Sequence, residues 1–314
     1  MKHKTGMATA VAAVLLCLAA SITSAQDSAA TGWKKSLVLD MTATQTAYSS
    51  SWTGGEAGAL SWVSNLNGSA ERQLRPAVNF MSRLKLSFGQ THTQKIVTDP
   101  TTGATEKIWE KPKKSTDLID WENVARLTRG WVVDPYLALR LESQFLDASV
   151  EAEQRHFTPL KLTESGGIAR KIYERDKDQI ISRLGFAVRE TFIKGLVKHT
   201  DSADVYYTRD DTTLTDGGLE SVTDVSLAPH KNIQYTGKLT VYKALFFSET
   251  DKVKGTPQQD YWKAVDVNWE NIVSASITKI ITVNFYLQFL YDKQVELRGR
   301  LKETLGIGFV FKMI

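Results

Sequence analysis

Charged residues of both signs recur at every second position between large apolar ones. Asp120, Glu122 and Arg126 alternate with Ile119, Trp121, Ala125 and Leu127, and Arg140 and Glu142 alternate with Leu137, Leu139 and Leu141. Arg183, Arg189, Lys238, Asp266, Glu270 and Lys302 have similar surroundings further along. Carboxylates facing guanidinium and ammonium groups can set a field across a passage, or neutralise one another and close it. Other chemistry is scarce. His92, His156, His199 and His230 form no i, i+4 pair, and the single cysteine, Cys17, lies in an N-terminal apolar run. The three or four converging ligands of a zinc site are therefore not foreshadowed. A lipid-cleaving site needs a histidine beside a serine or acid, and His92 with Ser87 and Thr91 is the one grouping of that kind. No glycine-rich segment reads as a phosphate loop. Gly54-Gly55, Gly166-Gly167 and Gly217-Gly218 read as turns or bulges. The expectation is no metal, no cofactor and no catalytic residue.

Composition narrows the class. The chain has 314 residues, of which 42% are hydrophobic, enough to exclude global disorder. With 20 glycines and 7 prolines it is not collagen-like or low-complexity. A formal charge of +4 is too small for a dedicated nucleic-acid binder, so no nucleic-acid partner is expected.

Compartment is written at the N-terminus. Lys2 and Lys4 precede an apolar run from Ala8 to Ala20, and a polar stretch ends in Thr23-Ser24-Ala25. A basic head, apolar centre and small-residue exit make a cleaved secretory signal over 1–25, leaving 26–314 as one domain. The run is shorter than the roughly 20 apolar residues of a spanning helix. Leu16 before Cys17 argues against lipidation.

The elements that must position the charges are strands. Ile281, Val283, Phe285, Leu287 and Phe289 alternate with Thr282, Asn284, Tyr286 and Gln288, and the segment from Leu305 to Met313 repeats the pattern. A period of two gives each strand one apolar and one polar face. The reading extends to twelve strands, the weakest at about 160–170 and 218–227. Short turns alternate with longer polar stretches at His92–Lys114, Asp147–Phe157, Lys194–Asp216 and Glu249–Asp260. Tight turns at one end, long loops at the other and an even strand count describe an all-β, antiparallel, up-and-down transmembrane barrel of the bacterial outer membrane. A secreted sandwich shares the alternation but not the loop parity. In a barrel the apolar faces meet lipid, so Asp120, Glu122, Arg126, Arg140, Glu142, Arg183, Arg189, Lys238, Asp266, Glu270 and Lys302 line the lumen. Trp33, Trp131 and Trp262 fall at strand starts, where the membrane boundary lies.

Several motifs carry a resemblance. Trp33 leads to Trp52-Thr53-Gly54-Gly55 and Leu60-Ser61; Val267-Asn268-Trp269-Glu270 leads to Ile277-Thr278-Lys279 and Tyr291-Asp292; and Lys302-Glu303-Thr304-Leu305-Gly306-Ile307-Gly308 leads to Phe309-Val310-Phe311. In these the chain resembles a family of Bacteroidetes-type outer-membrane barrels defined only as a domain of unknown function. The likeness covers most of 26–314, is most specific over the last fifty residues, and is poor over about 150–216. The chain ends Lys312-Met313-Ile314 where many such barrels end in an aromatic residue. The resemblance implies a fold and a location, and no catalytic residues.

Together these readings give a porin-like small channel or a structural envelope scaffold, more in keeping with a non-enzyme. The alternative is a lipid-modifying barrel enzyme of the lipase or deacylase type using His92. The expected partners are outer-membrane lipid, the barrel-assembly machinery and other envelope proteins. Lys194–Asp216, with Asp201, Asp204, Asp210 and Asp211 among threonines, is expected to be the main external loop, its oxygens suited to calcium.

Overall fold

A computed structural model describes residues 32–48, 57–150, 153–176, 178–201 and 205–312. The expected signal segment 1–25 lies outside them, as do Trp52-Thr53-Gly54-Gly55, Asp204 and Met313-Ile314. The strands are β1 (Lys34–Thr46), β2 (Ala59–Arg75), β3 (Val78–Thr98), β4 (Thr105–Trp109), β5 (Lys113–Leu127), β6 (Asp134–Ser143) and β7 (Leu160–Arg175). They continue with β8 (Asp178–Thr200), β9 (Val205–His230), β10 (Ile233–Phe247), β11 (Val265–Ser276), β12 (Ile281–Tyr291) and β13 (Arg300–Lys312). β4 is a short hairpin partner on the outer end of β3. The other twelve pair antiparallel with their neighbours, and β1 pairs with both β2 and β13, so the sheet closes into a barrel. Closure pairs the strand edges within the sheet, as lipid demands, along all but the loop-end part of the β1–β13 seam.

The two ends differ. Intervals 76–77, 128–133, 176–177, 231–232 and 277–280 connect strands at one end, and the first residues of β1 and last of β13 lie there too. At the other end the intervals 99–112, 144–159, 248–264 and 292–299 are longer. The loop at 248–264 carries a four-residue helix, α1 (Thr250–Val253), and a 3-10 turn, Tyr261–Lys263. Among the described residues no helix is long and apolar enough to cross a membrane, which says nothing of crossing by strands.

Burial runs opposite to that of a water-soluble domain. Leu184, Leu219, Trp269, Leu305, Ile307 and Phe309 are exposed on the outer wall, whereas Asp120, Glu122, Arg126, Arg183 and Arg189 are buried inside it. Period-two alternation explains both faces at once, because the pleat sends neighbours to opposite sides. The small apolar clusters are interior: Val124, Tyr136 and Ala169 in one, Ala187, Tyr242 and Ala244 in another. Trp33 precedes β1, Trp131 lies in the β5–β6 turn and Trp262 precedes β11.

Two sequence expectations are corrected here. Lys194–Asp216 is not a loop: β8 and β9 pair continuously out to Thr200↔Val205, with Lys194↔Asp211 and Gly195↔Asp210 inside the ladder. Asp210 and Asp211 therefore face opposite sides of a ribbon, and no cluster of three metal-binding side chains occurs among the described residues. Of the glycine pairs read as turns or bulges, Gly166-Gly167 is neither and runs regularly within β7, whereas Gly217-Gly218 of β9 lies opposite the register shift between Ala244 and Phe246 of β10. Tyr136, opposite Gly167 on β6, lies over Gly185 of β8, where a Cβ would sit 2.7 Å from its hydroxyl. Phe246 covers Gly217 in the same way. Glycine leaves room for the ring, and the ring restores the packing that glycine lacks.

Candidate functional site

The site is the lumen at mid-height. Leu84 and Leu86 face out, so Arg83 and Lys85, which alternate with them, face in, and both reach nearly to the opposite wall. Arg83 Nη1 donates to Asp224 of β9 at 2.8 Å, and Lys85 Nζ donates to Glu270 of β11 at 2.5 Å. Lys238 Nζ of β10 donates to Glu122 of β5 at 2.9 Å. In a ring of twelve strands each of these pairs joins walls five strands apart. They bar the lumen.

Two of the three bars are tied to one another. Glu122 takes Lys238 on one carboxylate oxygen and Arg183 of β8 on the other, the latter at 2.6 Å. Arg183 also reaches Asp224 at 3.3 Å, so Lys238, Glu122, Arg183, Asp224 and Arg83 form one chain of alternating charge. Arg183 and Glu122 are only 4% and 5% exposed. Charges so covered persist because each keeps a charged, hydrogen-bonded partner. Glu270 also accepts the Tyr286 hydroxyl at 3.1 Å.

Nearer the loop end lie two further groups. Arg140 grips Asp120 through two bonds of 2.9 Å and lies 3.1 Å from Glu142, which has Lys161 at 3.7 Å. Arg189 joins Asp216 at 2.7 Å and Asp266 at 2.9 Å, its guanidinium 3.5 Å from the centre of the Tyr242 ring. The Tyr242 hydroxyl donates to the same Asp216 at 2.5 Å. Toward the short turns, Arg126 donates to Asn79 at 3.2 Å and has Asp134 at 3.8 Å. Between β12 and β2, Asp40 accepts from Asn284 at 2.9 Å and Asn65 at 3.2 Å. A cavity of about 440 Å³ lies on the short-turn side, walled by Ser36, Ser69, Gln179, Gln234 and Ser274. A smaller one of about 160 Å³ lies on the loop side, beside Glu220, Asp266 and Arg300.

All eleven charged residues singled out in the sequence sit on the inward face. Ten of them are in the ion-pair lattice. Lys302 is apart: its ammonium is 3.3 Å from the Thr116 hydroxyl and over the Tyr286 ring at 5.8 Å, with no carboxylate in ion-pair range among the described residues. Sequence reasoning passed over Arg83, Lys85, Asp216 and Asp224. The first two show the alternation plainly, Asp216 fell in the misread loop, and Asp224 lies on a weakly alternating strand. His92 pairs with Leu60 on the outward face. Ser87 and Thr91 face inward, donating to Asn65 at 2.6 Å and bonded to Ser61 at 2.9 Å respectively. The serine–histidine contact of a lipid-cleaving site is not made. Outside the membrane span, Asp99 accepts from the Thr101 amide and the Thr102 hydroxyl, both at 2.8 Å, which holds its carboxyl below the usual range.

No family model matches the chain, and no curated protein matches it. Among solved structures it is similar to the translocator domain of the autotransporter NalP from Neisseria meningitidis, at 10% identity and a TM-score of 0.34 over 97% of this chain and 94% of that one. It is similar to an outer membrane channel from Pseudomonas putida F1, at 12% identity and a TM-score of 0.35 over 92% and 97%. A third is the NanC porin, at 10% identity and a TM-score of 0.34 over 89% and 100%. The fold itself rests on the strand pairings above.

Proposed function

We propose that this chain is an outer-membrane barrel with a lumen barred at rest, serving the envelope as a scaffold rather than as an open porin. The observation that carries the reading is the set of ion pairs joining opposite walls, Arg83–Asp224, Lys85–Glu270 and Lys238–Glu122. Twelve strands enclose less than an open porin's sixteen or more, so a few long side chains suffice to fill the middle. The location is supported by the apolar outer wall and by the export-type N-terminus. On this reading the barrel-assembly machinery inserts the chain, lipid is its solvent, and other envelope proteins meet its longer loops. Purified protein in a planar bilayer tests it. Wild type gives no steady stepwise conductance, and Glu122→Ala with Asp224→Ala gives steps; constitutive wild-type conductance overturns the proposal. The cavities on both sides of the bars favour one second reading, a channel whose bars part on demand. Wild type that is silent at low voltage and conducts only above a threshold voltage selects it.

A further inference from the structure

The twelve seams of the barrel are not equal. Among the described residues, β1 and β13 pair from Val38↔Lys312 to Thr42↔Gly308. Beyond that point β1 continues to Thr46 paired with β2 alone, and β13 runs back to Arg300 paired with β12 alone. The unpaired stretch lies toward the long loops, in the half of the wall that meets the outer leaflet. Unpaired strand edges are costly in lipid and are tolerated where something else occupies or wets them.

Exposure marks the same place independently. Thr44 and Thr46 of β1, and Lys302 and Thr304 of β13, point inward yet are exposed, whereas inward residues toward the loop end of β5–β7, such as Thr116, Glu142 and Lys161, are half-buried. Outside the same edge, Leu301 and Leu305 are each 66% exposed and Ile307 is 63% exposed. One side of the gap thus presents threonine hydroxyls and Lys302, whose ammonium reaches into the lumen to Thr116 of β5 and has no carboxylate in ion-pair range among the described residues; the other presents Leu301, Leu305 and Ile307 with Glu303 among them. Glu303, next to Lys302, faces outward.

We infer that this seam is a lateral doorway that takes a phosphate-bearing lipid, its headgroup on Lys302 and the threonine hydroxyls and its acyl chains along Leu301, Leu305 and Ile307. A phosphate supplies the charge Lys302 lacks and acceptors for the hydroxyls and edge amides. The chains cover the outer apolar strip, which a free anion cannot do. The inference rests on the membrane reading above.

The test uses barrels folded in a neutral detergent and an equimolar mixture of phosphatidylglycerol and phosphatidylcholine, with bound lipid counted by native mass spectrometry. The first bound lipid is expected to be phosphatidylglycerol by about tenfold, the equivalent of one screened ion pair. Lys302→Gln brings the ratio to about one, Lys302→Arg keeps it, and Lys243→Gln, an outward lysine three strands away, leaves it unchanged. Added inorganic phosphate does not compete. A wild type without preference, as for a seam that captures a protein strand, overturns the doorway; so does a preference that survives Lys302→Gln or is lost to inorganic phosphate. Insertion into vesicles, read by heat-dependent gel mobility, separates the two proposals. Failure to insert overturns both, whereas insertion without preference overturns the doorway alone.

Discussion

At mid-height on the wall from β5 to β9 the inward Asp120, Glu122, Arg183, Arg189 and Asp216 are buried, while Thr44, Thr46, Lys302 and Thr304 beside the loop-end part of the β1–β13 seam are exposed. The first region packs Tyr136 across Gly167 and Gly185, and threads Glu122, Arg183 and Asp224 into one chain of charge. β8 and β9 pair along their entire facing lengths there. At the seam a short ladder carries the closure, and among the described residues Asp40 accepts from the neutral amides of Asn65 and Asn284 while the Lys302 ammonium meets the Thr116 hydroxyl and the Tyr286 ring without an ion pair. Both regions obey the same alternation. The difference is what each inward side chain finds across the lumen, and it separates a rigid wall from one that can yield.

The strongest way to break this comparison is to remove the seam. Deleting Leu301–Ile314 leaves β12 and β1 as open edges, and the chain is expected not to insert stably into vesicles. A truncated chain that folded as a soluble protein would refute the barrel reading. Next comes the wall against the seam by point substitution. Glu122→Ala leaves Arg183 and Lys238 facing each other without their anion, so urea unfolding in vesicles should show a loss of about 3–5 kcal/mol. Asp40→Asn removes a charge bonded only to amides and should cost about 1 kcal/mol. Equal losses would erase the distinction between the regions.

The smallest expected effect lies outside both. Hydrogen bonds from Thr101 and Thr102 depress the Asp99 pKa in the folded turn between β3 and β4. A depressed carboxylate contributes stability above its unfolded pKa, and that contribution fades as the pH falls through the folded value. The protection of amides 99–104, taken relative to the intrinsic exchange rate at each pH, should therefore fall under acid, and Asp99→Asn should flatten that response. A fall of the same size in the variant would assign it elsewhere.

How far the sequence reached follows from where its signal exists. Strands that cross lipid must show one apolar face, so Ile281–Phe289 and Leu137–Leu141 could be read directly. The outer halves of β8 and β9 protrude past the membrane as a ribbon with water on both faces. Polar residues such as Asp210, Asp211 and Thr212 then occupy either side, alternation disappears, and the ribbon reads as a loop. The same blindness hid β4, whose Thr105–Trp109 runs beside β3 outside the lipid. Gly166-Gly167 misled for a related reason: glycine signals a turn or bulge locally, but here it makes room for an aromatic ring from a neighbouring strand.

By itself the sequence determined the class of element, the strand order around the ring and the face on which each charge lies, because alternation and turn spacing are local properties of the chain. Only the tertiary structure decided that Glu122 meets both Arg183 and Lys238, that Arg83 spans to Asp224, and that β1 and β13 join over a short ladder. Those outcomes depend on strand stagger and barrel radius, which are set by closing all twelve seams together. No local pattern records the partner of a side chain that reaches across a lumen.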